Sequence, residues 1–353
     1  MMALALVGLL LLSGALGVVW LLAKPDVDRY ERTDYSFRVV VSVRNLGQSP
    51  ATNVPLRLGL PRDDPPAQTV VSVDFSEPPI RMSNDTFGNE FAHFELDILE
   101  PRSTWNVTMS VRVTLHSIDF NVEPEGLGEY PGEGERFLEP DFYVNYNEPN
   151  VLDLAQRLAE SSSDVWDLAW RTYDWVLKNV YYQQVPGEID ASTTLKNGEG
   201  GSAEIANLYV ALMRANGVPA RRASGWGHHF EEGDELQISR FSHGWAEVYA
   251  PGYGWVPVDP TWGQSNRYDN FAKSDDAHVL MTWEAGVHYM QRGDYNEPFG
   301  PTDVRTDYLL MVLDKRVENL SSKRDVIAVL VLAPPVVFIA FIAYKRTQLR
   351  KVA

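Results

Sequence analysis

The chain has 353 residues, 44% of them hydrophobic and 11% aromatic, a composition that excludes a disordered polypeptide and leaves room for two domains. Its formal net charge of −17 argues against nucleic acid as a partner and suits an exterior or saline setting. The absence of any cysteine excludes disulfides, thiolate metal sites, lipid attachment through sulfur and a thiol nucleophile.

In chain order, the first predicted element is a membrane span within residues 1–23. Ala3 to Ala23 is uncharged and almost wholly apolar, long enough at about 1.5 Å per residue to cross a hydrocarbon core of about 30 Å. A cleaved signal peptide is the competing reading. No basic region precedes the run, and only a poor small-residue site lies near Ala15 to Gly17, so an uncleaved anchor is expected.

Residues 34–118, within a unit bounded at 30–118, alternate with period two. Phe37, Val39, Val41 and Val43 form one strand face, Leu56, Leu58 and Leu60 another, and Trp105 to Leu115 a third, separated by turn clusters such as Asn45-Leu46-Gly47. This predicts an all-β sandwich, similar in pattern to the immunoglobulin-like modules of prokaryotic surface proteins, with spacing as its expected role. His116 to Pro149, rich in Pro, Gly and Glu, has no sustained period, so residues 119–149 are expected to be a linker with at most one strand.

Residues 150–320 form the next predicted unit, opening with two helices. Val151 to Ala159 is the first; the second is capped by Ser163 or Asp164 and buries Val165, Leu168, Ala169, Thr172, Trp175 and Val176. After a tyrosine-containing strand, the breaker cluster Asn197 to Gly201 precedes Ile205, Leu208, Tyr209, Leu212 and Met213, which lie on one helical face. Ser202 therefore sits at a helix N-terminus. Gly217 closes that helix, and Arg222 to Trp226 predicts a strand. Trp245 to Tyr249 and Trp255 to Val258 flank a Pro251-Gly252-Tyr253-Gly254 turn and predict a hairpin. Centring the turn there sets His243 opposite Pro260 and beside Asp259, about 5 Å away between Cβ atoms, and a slip of one residue is expected to put them on opposite faces. Asp275 to Leu280 and Asp307 to Leu313 are expected to be short elements closing the core, with no assigned function.

The stretch GGSAEIANLYVALMRANGVPARRASGW, followed by SHGWAEVYAPGYGWVPVDPT, resembles the transglutaminase-like superfamily, whose fold is similar to papain-type cysteine proteases. Gly200, Glu204, Arg214, Gly217, Pro219, Arg221, His243, Trp245, Glu247, Gly254, Trp255, Asp259, Pro260 and Thr261 fill positions of its pattern, over residues 150–285. Ser202 stands where the nucleophilic cysteine of the family belongs. The resemblance implies an α+β, papain/transglutaminase-like domain, here following the β-sandwich and flanked by a transmembrane helix at each end. The second such helix is Val326 to Tyr344, kinked at Pro334-Pro335, and the basic tail 345–353 marks its cytoplasmic side. Residues 24–325 are then outside the cell membrane, with the sequons at Asn84, Asn106 and Asn319, although Lys24 and Arg29 count against that topology.

Each candidate residue also has a plain structural role: Ser202 as an N-cap, Asp259 before Pro260 as a turn former, His243 as a satisfied strand histidine. The HHxEE cluster at His228 and His229 fits no helical ligand pair and is expected to be a solvated loop, so neither metal nor cofactor is expected. A thiol at this helix end beside histidine would be largely thiolate, while a hydroxyl stays protonated and needs a well-aligned base. Two functions follow. In the first, the domain is non-catalytic for thiol chemistry and binds a peptide or cell-envelope protein. In the second, it is an amide or ester hydrolase or acyltransferase with Ser202 as nucleophile, His243 as base and Asp259 as orienting carboxylate. Nothing in the chain specifies an oligomeric state.

Overall fold

The structure, a computed structural model, describes residues 27–122, 132–185, 187, 189–284 and 304–320. The two apolar segments, Ala3 to Ala23 and Val326 to Tyr344, lie outside those residues, and no helix among the described residues is long and apolar enough to cross a membrane.

Period-two alternation builds two packed sheets in the first third of the chain. β1 (Val27–Asn45) and β6 (Thr104–Phe120) pair antiparallel, with Val39 opposite Met109 and Val41 opposite Val107, all buried. β3 (Gln68–Phe75) adds to β6. Against this sheet packs a second one made of β2 (Ala51–Gly59), β4 (Arg81–Asn84) and β5 (Glu90–Leu99) in the order β2-β5-β4, contributing Leu56, Leu58 and Phe94 to a common core.

That core does not stop at residue 118. The sequence around Asp307 to Leu313, expected to close the following domain, belongs to a 16-residue strand, Val304–Asn319, that pairs with β1 from Glu31 to Asn45. β1 buries Tyr35, Phe37, Val39, Val41 and Val43 and has a long neighbour on each side, and a partner more than 250 positions away leaves no local trace in the sequence. Trp226, Phe230, Val279 and Met281 join the same cluster, so the two expected units share one core. The expected linker is also partly packed: β6 continues to Phe120, Phe137 and Val144 are buried, and Asp141 lies 2.6 Å from Arg222.

The second unit begins with helices α1 (Pro149–Glu160), α2 (Val165–Asn179) and α3 (Ala191–Asn197), which surround α4 (Ser202–Ala215). Asp164 caps α2 by accepting from the Asp167 N–H. Every residue of α4 from Glu204 to Arg214 is buried, because helices cover one side and a four-stranded sheet the other. Two short strands, β7 (Tyr181–Tyr182) and β8 (Glu199–Gly200), pair in parallel just before α4. The four-stranded sheet contains β9 (Ala220–Gly227), β11 (Ser242–Ala250), β12 (Gly254–Val258) and β14 (His278–Trp283), ordered β12-β11-β9-β14. β10 (Glu235–Gln237) and β13 (Lys273–Ser274) reach back instead to the large sheet, where β10 meets β15 (Val304–Asn319) and β13 meets β6.

β14 forms the seam between the units. One side pairs with β9, so closely that a Cβ at Gly225 would fall 1.9 Å from the Val279 carbonyl oxygen. Its other side meets two side-chain amides in place of a strand. The Gln68 amide donates to the Leu280 carbonyl at 2.8 Å and accepts from the Leu280 N–H at 2.8 Å, and Asn89 does the same for Trp283 at 2.7 and 2.8 Å. These amides satisfy backbone groups that a buried edge would otherwise leave unpaired.

Candidate active site

The breaker cluster works as expected for the helix start and corrects the role of its serine. Gly198, at φ +69°, ends α3, and Gly201 rather than Ser202 occupies the cap position of α4. Ser202 is the first helical residue, and its Oγ accepts from the Gly244 N–H at 3.2 Å. A Cβ at Gly244 would lie 3.1 Å from the Ala203 Cα, so β11 runs hard against the helix start there. His243, one residue earlier, and Ser202 consequently line one cleft of about 720 Å³, with Gly227, His229, Thr261 and Trp262 also on its walls.

The hairpin turn has Gly252 and Gly254 at φ +83°, and the Tyr253 N–H donates to the Ala250 carbonyl at 3.0 Å. Ala246 pairs with Val258, one residue away from the expected register. This slip does not part the pair as expected: His243 and Asp259 share a face as diagonal neighbours, whereas the centred register would have set them on opposite faces. The His243 Nε2 lies 2.7 Å from Asp259 Oδ2. Since a carboxylate only accepts, Nε2 carries the proton and Nδ1 is the basic nitrogen. Asp259 Oδ1 accepts from the N–H groups of Thr261 at 2.8 Å and Trp262 at 3.1 Å, so the turn former is also the group that fixes the imidazole. Trp262 stacks on the His243 ring with centroids 5.1 Å apart.

His278 belongs to the same cluster, which the sequence reading missed. Its Nε2 lies 3.2 Å from Asp259 Oδ2 and its Nδ1 2.8 Å from Asp275 Oδ1. Burial disfavours a charge on this ring, but the Asp275 charge and the hydrogen bonds to Asp259 and Asp275 outweigh it and push His278 up to about 10. Burial likewise opposes ionisation of Asp259, and the two histidines overcome it, holding the carboxyl well below the usual range. The only local signal was an Asp three residues before a His at a strand start, a pattern too common to single out.

His243, Asp259 and His278 each bring one ligand-type atom within 4.8 Å of the others. Two ligands on one tetrahedral zinc stand about 3.3 Å apart, given bonds of about 2.0–2.1 Å. The 2.7 Å between His243 Nε2 and Asp259 Oδ2 is too short for that, and both rings point at this one oxygen as donors converging on an acceptor. The cluster is a hydrogen-bonded relay. Elsewhere, His228 sits 3.8 Å from Asp234 with its side chain 40% exposed, and His229 packs against Trp262 at 5.5 Å between ring centroids.

The relay has a defined pH signature. His278 ionises above its ordinary 6.5, so its stabilisation is complete below about pH 6.5 and disappears as pH rises through about 10. Asp259 ionises below its ordinary 3.8, so its contribution is present above about pH 4 and lost in acid. Urea midpoints are expected to fall between pH 6 and pH 10, and to fall less in His278→Gln. Equal slopes in the two proteins would contradict this assignment.

The chain is similar to several known proteins. A family model described as "Transglutaminase-like superfamily" matches residues 152–260, and the chain carries a transglutaminase-like domain over that segment. The fold is similar to a candidate cysteine protease from Cytophaga hutchinsonii, with a TM-score of 0.53 and 16% identity over 84% of this chain and 93% of that one. An uncharacterized protein of Mycobacterium tuberculosis is 26% identical over 51% of this chain and 62% of its own length. A Pseudomonas aeruginosa protein-glutamine gamma-glutamyltransferase is 36% identical over 18% of this chain and 10% of its own length. The chain thus spans less than two thirds of the length of these curated relatives.

Proposed function

We propose that this protein is anchored in the cell membrane with residues 24–325 outside, and that its transglutaminase-like domain binds a peptide or cell-envelope partner without thiol chemistry. The observation that carries this reading is the cleft itself. The helix N-terminus and His243, which buried Asp259 holds from behind, face one groove, while the residue at the helix start is a serine in a chain without sulfur nucleophiles. The anchoring part rests on the apolar runs at Ala3 to Ala23 and Val326 to Tyr344. The β-rich region, which shares its core with the domain, acts in this reading as an immunoglobulin-like spacer that holds the cleft away from the membrane.

A second reading is supported by the intact relay. Ser202 would attack an amide or ester carbonyl, Nδ1 of His243 would take its proton, and Asp259 would hold the ring. The similarity to a Pseudomonas protein-glutamine gamma-glutamyltransferase suggests a glutamine-bearing peptide as the probe for either reading. The full chain in detergent is to be treated with a fluorophosphonate and, separately, with a fluorescent glutamine peptide. The binding reading expects peptide anisotropy that weakens at least tenfold in Trp262→Ala, and no labelling at Ser202. Labelling that disappears in Ser202→Ala would overturn it in favour of the hydrolase.

A further inference from the structure

The Asp259 carboxylate is shared by two imidazoles, whereas a simple catalytic pair would need one. His278 has carboxylate oxygens at both ring nitrogens, Asp259 at 3.2 Å and Asp275 at 2.8 Å. Carboxylates offer only lone pairs, so both nitrogens of His278 must carry protons. Asp275 is itself fixed, accepting from the Ala277 and His278 N–H groups at 2.9 and 3.0 Å. β14, which carries His278, is clamped from behind by the amides of Gln68 and Asn89.

We infer that His278 is a positioning residue of this site: a fixed imidazolium that anchors Asp259 from its far side and sets how strongly that carboxylate can support a proton on His243. The ring centroids of the two histidines are 5.4 Å apart, so the positive charge of His278 opposes a second one on its neighbour and draws off part of the Asp259 field. His278 thereby weakens the support that Asp259 can give to a second cation on the His243 ring. A hydroxyl partner such as Ser202 needs only a base in the transition state, so it tolerates this weakening better than a thiolate–imidazolium pair, which forms here less readily than it would without His278. Other charged groups stand near the relay, and Arg240, Asp269 and Lys273 line the cleft together with His243. Behind His278, Asp64, Glu247 and Lys273 line a small internal cavity, with Arg221 bound to the first two. On the open side, His243 packs on Trp245 and Trp262, with His229 beyond the latter.

This inference rests on reading Ser202 and His243 as the descendants of a nucleophile and its base, and it can be tested without any enzymatic activity. Ser202→Cys installs a thiol in a chain that has no other, so iodoacetamide alkylation against pH reports that group alone. On ionisation the sulfur proton passes to Nδ1 of His243, giving thiolate and imidazolium. Removing the cation in Ser202→Cys/His278→Gln favours the imidazolium, and the alkylation midpoint is expected to drop by about one pH unit, a tenfold change in thiolate at a given pH. An unchanged or raised midpoint would overturn the inference, because a purely structural histidine would alter thermal stability alone. Should that double variant fail to fold, Asp275→Asn in the same background keeps the imidazole and removes the carboxylate charge beside its Nδ1. It is expected to shift the midpoint in the same direction by less, and no shift would count against the proposal. In the unmodified chain, ¹⁵N spectra at pH 8 are expected to show both His278 ring nitrogens protonated; a neutral ring would also overturn it. Fluorophosphonate labelling of Ser202 would sink the binding reading while leaving this inference standing.

Discussion

Arg221→Met is expected to lower the free energy of unfolding by about 3–5 kcal/mol, the largest stability effect foreseen for any single substitution in the chain. Arg221 is 1% exposed, its Nε bonded to Glu247 and its Nη2 3.2 Å from Asp64. The guanidinium also lies over two indole rings, 3.3 Å from the centroid of Trp283 and 4.1 Å from that of Trp255. Methionine keeps some of the volume but leaves two carboxylates facing each other without their shared cation. Burial and the Glu247 charge already push Asp64 up to about 7 against the pull of Arg221 and Arg62, so without Arg221 it would take up a proton. The strain would reach the cleft, because Glu247 stands opposite Arg221 on β11, the strand that carries His243. Urea unfolding of the two proteins at pH 7 measures the difference. A loss below about 1 kcal/mol would show that the buried charges relax into contact with water.

Much of this site was legible in the sequence because its parts are local. Asn197 to Gly201 announces a helix start, the Pro-Gly-Tyr-Gly turn a hairpin, and period two the strands on either side, so Ser202, His243 and Asp259 come together from short-range signals. The register was one residue off because a turn of this composition can close on more than one pair, and Gly254 at positive φ decides which. What remained illegible depends on distant pairing. β15 joins β1 across most of the chain, and nothing near Tyr308 or Leu310 names that partner. For the same reason His278 stayed hidden: its link to Asp259 exists only once β14 lies beside β9 and the hairpin has folded over it. Buried polar residues of the supposed spacer, Gln68 and Asn89, could have hinted that the two units were not separate, yet an isolated amide in a strand region carries no address.

The second large effect concerns ionisation. The central claim is that the N-terminus of α4 and the His243 imidazole still converge on position 202, as they would in an acyl-transfer enzyme. The group there accepts a backbone N–H from Gly244 at 3.2 Å, stands at the positive end of a 14-residue helix and shares a cleft wall with the imidazole. All three favour an anion. The most direct measurement is therefore the rate of alkylation of Ser202→Cys as a function of pH, in a chain where no other thiol can react. A midpoint below about pH 7, at least one and a half units under the free value of about 8.5, is the predicted result. A midpoint at or above about 8.5 would contradict the claim, since it would mean that neither the helix end nor the imidazole acts on that position.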